Sequence, residues 1–419
     1  MDSQIVKRYE LAKELFASLG VDTDAAIEVI DKIPISMHSW QGDDLLGFEG
    51  ATTLTGGIQA TGNYPGRART ADELRADIDQ VLACVPGSIK VALHAIHAEK
   101  NNRNVDRDAY DVDMFTNWID WANARGIGLD FNPTFFSHSM TDGNFSVTSR
   151  DEKKRRFWIE HGKRCREISA EIGRRTGKVC INNFWFPDGY KDIPADTLVL
   201  RTMMTEALDE IFVKAFDPKY TLDTIESKLF GLGVECYTVA SHEYSLLYAL
   251  TRNKLYTLDA GHFHPTESIA AKLTAILSFL PEVMLHVSRG VRWDSDHVVV
   301  WDDELQNIMN EIVHNGYENR VHIGLDYFDA SINRIACLII GVRNSRKALL
   351  KSALLPRTPI CAAEERGDYT ARLALLEESR SLPFASIWDY YCASHDVPIG
   401  QSWLGIVQAY EKNVTKKRG

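Results

Sequence analysis

The stretch VMLHVSRGVRWDSDHVVV, residues 283–300, decides the fold. It begins as a short apolar run of the kind that forms a buried strand, with His286 inside it. It then breaks at Arg289-Gly290 into a loop carrying Asp294, Asp296 and His297. An apolar strand that delivers titratable groups at its C-terminal end recurs along the chain. Upstream, KLYTLDAGHFH (254–264) ends in Asp259 with His262 and His264 beyond, and DTIESKLF (223–230) ends in Glu226 and Lys228. Downstream, RVHIGLDYFDAS (320–331) ends in Asp326, with Asp329 after it.

Working further outward, four more β-rich runs precede these: ISMHSW (35–40), KVALHAIH (90–97), IGLDFNP (127–133) and KVCINNFWFPDG (178–189). Segments with helical spacing fill the gaps, among them residues 71–85, 151–177 and 268–280. Eight strand–helix units of this length predict an α/β chain closed into a parallel (β/α)8 barrel. Periodicity alone leaves a doubly wound sheet with an appended domain as the alternative. Residues 1–34 read as an N-terminal helical segment broken at Gly20, 35–335 as the barrel, and 336–419 as the last barrel helix plus a helical extension suited to packing on the barrel or on another subunit.

Composition narrows the function. The 419 residues are 45% hydrophobic and 25% charged, as in a globular protein with a large core, and the formal net charge is −11. An acidic chain lacks the basic face that non-specific nucleic-acid binding requires; the terminal KKRG reads as a solvated helix end. Seven scattered cysteines without a CxxC pair argue against a disulfide framework or a thiolate zinc site, and fit a reducing cytoplasm. The N-terminus has no apolar signal core, and no apolar run approaches the ~20 residues that span a bilayer.

In a barrel of this kind, groups at the C-terminal strand ends face one mouth, where sites are built. A single Asp at a strand end is usually a helix cap, and a single strand His is usually a satisfied core residue. Seven such groups on four successive strands form a different pattern, because converging carboxylates repel unless cations neutralise them. Glu226, Asp259, His286 and Asp326 make one oxygen-rich set; His262, Asp294 and Asp296 make a second, and Asp259 can bridge the two. Such sets suit Mn2+, Co2+ or Mg2+, and Zn2+ less distinctively. His264, His297, Asp302, Asp303 and Asp329 read as supporting or surface groups, the pair 302–303 as caps of the next helix. Lys228, two residues from Glu226, reads as facing the same mouth, either as a donor to a substrate oxygen or in a salt bridge. Trp40, Phe131, Trp185 and either His94 or His97 supply an aromatic wall around a polar floor, which suits a sugar. The Gly-rich run TGGIQATGNYPG (55–66) lacks phosphate-loop spacing and reads as a loop over the mouth.

The motifs SMHSWQGDD, GGIQATGNYPG, LDFNP, ESKLFG, LDAGHFHPTE, LHVSR-x-VRWDSDHVV and HIGLDYFDASINR together resemble bacterial L-rhamnose isomerase, over essentially the whole chain. That resemblance implies a TIM barrel related to xylose isomerase, two divalent metals with Mn2+ preferred, a cytoplasmic homotetramer, and conversion of L-rhamnose to L-rhamnulose as the first step of rhamnose catabolism. It places the structural metal on Glu226, Asp259, His286 and Asp326, and the catalytic metal on His262, Asp294 and Asp296 with Asp259 shared. Lys228 falls near the carbonyl end of the sugar, Trp185 at the pocket wall, and His94, in preference to His97, at the ring oxygen. The implied chemistry is a metal-assisted hydride shift from C2 to C1, with proton movement between O2 and O1 near Asp294 and Asp326. The rival route is a cis-enediol formed by a carboxylate. A metal-dependent epimerase or an isomerase for L-mannose or D-allose, a two-metal phosphodiesterase and a sugar-binding module are the competing readings. The neighbouring Lys228 and Glu226 and the acidic net charge favour a neutral sugar.

Overall fold

A computed structural model describes residues 1–50, 54, 55, 58, 60–230 and 235–418. Eight parallel strands close into a barrel: β1 Ile35–His38, β2 Ile89–His94, β3 Gly128–Asn132, β4 Cys180–Phe184, β5 Thr221–Glu226, β6 Leu255–Asp259, β7 Val283–Val287 and β8 Val321–Leu325. Each overlaps a run expected from the sequence, β2 starting one residue and β5 two residues before theirs, and the barrel closes where Ile35 pairs with Ile323 on one side and Ile89 on the other. Strand pairing also sets the site. Asp259 sits directly opposite His286, and Asn183 opposite Thr224, two residues before Glu226. A two-stranded ribbon, Gly189–Tyr190 against Tyr237–Thr238, lies outside the barrel.

The helices begin and end where local chemistry requires. Asp151 accepts from the amides of Lys153 and Lys154 to start the helix Glu152–Thr176, and Gly177 ends it at φ +68°. Asp302 caps Asp303–His314 by accepting from the Leu305 amide, so Asp302 and the first-turn acid Asp303 serve that helix, as their sequence position suggests. The N-terminal segment forms helices Ser3–Ser18 and Thr23–Asp31 around Gly20, at φ +78°. After the long helix Arg334–Ala353, four further helices run from Arg357 to Asn413. Tyr9 of the first helix stacks on Tyr390 of this C-terminal group, 3.8 Å between ring centroids.

Two sequence readings change. The terminal KKRG is only partly solvated, because Arg418 is buried and paired with Asp77 at 2.6 Å, which ties the C-terminus to the helix Ala71–Leu82. Phe131 does not reach the mouth. It is fully buried in the main core and meets Phe115 edge-on, since alternate residues of a strand point to opposite faces. Of the Gly-rich run, Gly56, Gly57 and Gln59 lie outside the described residues, as do 51–53 of the wider 41–66 loop; Thr61 bridges to Asp329.

Gly173 marks the tightest approach between a helix and a strand end. A Cβ there would sit 1.9 Å from the carbonyl oxygen of Tyr220, just before β5. Gly173→Ala is therefore expected to destabilise the chain by about 1–3 kcal/mol through overpacking. Urea unfolding monitored by circular dichroism measures this, and an unchanged midpoint would contradict it.

Candidate functional site

The strand ends converge on a cavity of about 610 Å³ at the barrel mouth. Its floor includes Asn132, Asn183, Glu226, His286 and Asp326, and its loops contribute His262, Asp294 and Asp296. At the centre, His286 Nδ1 lies 3.3 Å from Glu226 Oε1, 3.4 Å from Asp259 Oδ2 and 3.2 Å from Asp326 Oδ2. One donor atom from each of Glu226, Asp259, His286 and Asp326 falls within 4.8 Å of the others, and Asp259, His262 and Asp294 form a second set under the same limit. Asp259 belongs to both. Asp296 lines the cavity but stays outside the second set.

The loop after β7 is bent into this arrangement. Asp294 and Asp296 adopt φ of +38° and +45°, a region that costs a side-chain-bearing residue energy. The bend is pinned by the Asp294 amide donating to Gly261 O at 2.9 Å and the Phe328 amide donating to Asp296 O at 3.2 Å. A partner that the sequence reading missed, Asn183, donates to Glu226 Oε2 at 2.5 Å and accepts from Thr257 at 2.7 Å. Trp40 Nε1 donates to Asp326 Oδ1 at 3.1 Å.

The electrostatics call for positive charge. Burial pushes the Glu226 carboxyl up, against the pull of His286. Burial also drives Asp294 up to about 7, opposed by His262 and aided by Asp259 and Asp326. Asp296 is lifted well above the usual carboxylate range by burial and by Asp294. Burial acts to depress His262, yet Asp259, Asp294 and Glu226 raise it to about 9, and His286 is likewise held high by Glu226 and its neighbours. Asp259 alone ends low, because His262 and His286 outweigh burial. A cluster that lifts its own carboxyls and draws protons onto its imidazoles is short of cations. The mixed oxygen and nitrogen donors fit a divalent metal in each set, and the buried His262 Nδ1 has no partner among the described residues.

Trp40, His94 and Trp185 line the cavity with Leu45, Ile58 and Phe136. Trp40 stands in a short helix, Trp40–Asp43, rather than at the strand end. His97 is closed off: its Nδ1 accepts from the His94 amide at 3.0 Å and its Nε2 donates to Asp43 at 3.0 Å. Lys228 is not at the cavity surface. β5 stops at Glu226, so strand alternation no longer governs residue 228. Its buried ammonium pairs with Glu235, donates to Pro187 O at 2.6 Å and lies 5.8 Å from the Trp185 ring. His264 bonds Thr266 at 2.6 Å at the surface, His297 lines the cavity and bonds Ser295 at 3.0 Å, and Asp329 bonds Ser331 and Gln41.

Residues 3–418 match the family model described as L-rhamnose isomerase (RhaA). The chain belongs to the L-rhamnose isomerase family. It is 52% identical to the L-rhamnose isomerase of Mannheimia succiniciproducens, over 99% of this chain and 100% of that one. It is 51% identical to that of Escherichia coli O7:K1, over 100% of both. Among solved structures, an L-ribulose 3-epimerase is 12% identical with a TM-score of 0.47, covering 83% of this chain and 99% of that one, too distant to bear on activity. Family membership makes the chain an aldose–ketose isomerase. No helix among the described residues is long and apolar enough to cross a membrane.

The shifted groups predict how chelated protein responds to pH. Acids and imidazoles whose folded pKa values are raised bind more protons native than unfolded, so stability falls as pH rises between the two values. That window runs from the usual carboxylate range to about 7 for Asp294, and from the usual histidine value to about 9 for His262. Asp259, shifted down, opposes this only at acid pH. Below pH 7 the buried, neutral His38, His94 and His161 oppose this, because their folded values lie below the unfolded one; the melting temperature of chelated protein should therefore drop from pH 7 to 9, where His262 and His286 act unopposed by them, and saturating Mn2+ should flatten the profile. A chelated protein that gains stability over that range would contradict the reading.

Proposed function

We propose that the chain interconverts L-rhamnose and L-rhamnulose in this cavity with two Mn2+ ions, one held by Glu226, Asp259, His286 and Asp326, the other by His262, Asp294, Asp296 and the shared Asp259. The observation that carries the proposal is the pair of overlapping donor sets sharing Asp259 beneath an aromatic wall. When bound, the cations supply Lewis-acid polarisation of the sugar's C1 carbonyl and O2.

The chain's own residues do the rest. Trp40, Trp185 and Phe136 pack on the C–H faces of the sugar and keep water from the reacting carbons. His94 meets the ring oxygen, since both nitrogens of His97 are already engaged. Asp294 and Asp326 hold the O2 proton and pass it to O1. The hydrogen on C2 moves with its electron pair to C1, so C2 becomes the ketone and C1 a hydroxymethyl group. Lys228 acts on the carbonyl end through its charge, from beside Trp185, rather than by contact. Residues 35–335 form the catalytic barrel. The extension 336–419 makes the subunit contacts of a cytoplasmic homotetramer, a role supported by Tyr369 and Leu373, which are 67% and 57% exposed.

Incubation with L-rhamnose and Mn2+ should yield ketose, and chelation should stop it; no ketose with any divalent metal would overturn the reading. In deuterated water the product should carry no deuterium at C1, whereas substantial incorporation would favour the enediol route. Asp294→Asn should lower turnover by more than about a hundredfold with an unchanged circular dichroism spectrum, and an unaltered rate would refute its role.

A further inference from the structure

The cavity wall contains a hydrogen bond whose direction decides what His94 presents to a ligand. His94 Nδ1 lies 3.0 Å from Thr134 Oγ1, in the loop after β3. Thr134 is fully buried, and among the described residues its hydroxyl has no other partner. His94 Nε2 has no protein partner among the described residues, and the ring lines the cavity. Burial, with His97 and Arg107 adding to it, holds His94 well below the usual histidine range, so the ring is neutral and carries one N–H.

Two arrangements satisfy the distance. If His94 Nδ1 donates to Thr134, the threonine proton is left buried without an acceptor, which costs about 1–3 kcal/mol. If Thr134 donates to Nδ1, both buried groups are satisfied and the imidazole proton sits on Nε2. The second arrangement leaves nothing orphaned.

We infer that Thr134 is a positioning residue that fixes the tautomer of His94, so that the cavity-facing Nε2 carries the proton and acts as a hydrogen-bond donor. Thr134 is itself held in place. The guanidinium of the buried Arg107 donates to the carbonyls of Thr134 at 2.9 Å and Phe136 at 2.7 Å, and to Glu49 at 2.6 Å. The ring is confined edge-on between Trp40 and Phe136, at centroid distances of 4.8 and 5.9 Å.

The consequence is chemical selectivity. A pyranose ring oxygen has no hydrogen and can only accept, so it pairs with Nε2–H and is repelled by a bare Nε2. A hydroxyl can serve either tautomer. The Thr134–His94 pair therefore recognises the cyclic form of an aldose by its ether oxygen, and no proton leaves the imidazole. The identity of the sugar rests on the proposed function; the tautomer does not.

Protein labelled with 15N-histidine and loaded with diamagnetic Mg2+ tests this by long-range 1H–15N correlation, with His94→Gln assigning the signals. The expected spectrum shows a protonated Nε2 and a bare Nδ1 for His94. Thr134→Val should give a mixture of tautomers and lower kcat/KM for L-rhamnose about fivefold, the effect of one lost hydrogen bond. Thr134→Ser should restore both. A proton on Nδ1 in the parent protein, or a single Nε2–H form surviving in Thr134→Val, overturns the inference. Expected spectra from a protein that makes no ketose would leave the tautomer standing and remove the proposed function.

Discussion

Everything at the mouth of this barrel depends on the repulsion among carboxylates that β5, β6, β8 and the loop after β7 deliver to one place. Three of them surround a single imidazole nitrogen, His286 Nδ1, at 3.2–3.4 Å. Such crowding is unfavourable in a buried site without compensating positive charge. The fold imposes it because the closed parallel sheet leaves the strand ends nowhere else to point. Cations bound there would relieve the crowding and would supply Lewis-acid polarisation of a sugar's oxygens, so one constraint joins the stability of the site to its proposed chemistry.

The supports of this charged centre are neutral and oriented. Asn183 braces Glu226 and is braced in turn by Thr257, while Trp40 holds Asp326. Asp294 and Asp296 are held in strained backbone by two main-chain hydrogen bonds, so their carboxylates are aimed before any ligand arrives. On the opposite wall, Arg107 joins the segment after β1, through Glu49, to the loop carrying Thr134 and Phe136. Charged groups and aromatic rings, Trp40, Phe136 and Trp185 among them, line one cavity, which is what a polyol with apolar C–H faces requires.

Much of this was legible in the sequence because strands ending in titratable residues are a local signal. The eight runs, the seven ligand candidates and the cap at Asp302 follow from spacing and residue type. The misreadings occur where local rules stop. Strand alternation carries Lys228 to the mouth, as a donor or in a salt bridge; the strand ends two residues earlier, and the ammonium takes the salt bridge, to Glu235, with Pro187 O as a second acceptor. Phe131 reads as wall from its place near the end of its run, but its strand parity sends it into the core. The sequence favours His94 over His97 only narrowly, and the partners of His97, Ser39 and Asp43, decide the choice by consuming its ring. Asn183, Thr134 and Arg107 gave no motif of their own, because their roles arise from contacts between strands and loops far apart in the chain.

Anomalous scattering from crystals grown with Mn2+ tests the central claim most directly. The account predicts two peaks per chain, one among Glu226, Asp259, His286 and Asp326, the other against His262 and Asp294, with Asp259 between them. A map with no peak at these carboxylates, or with manganese only elsewhere on the chain, would contradict it.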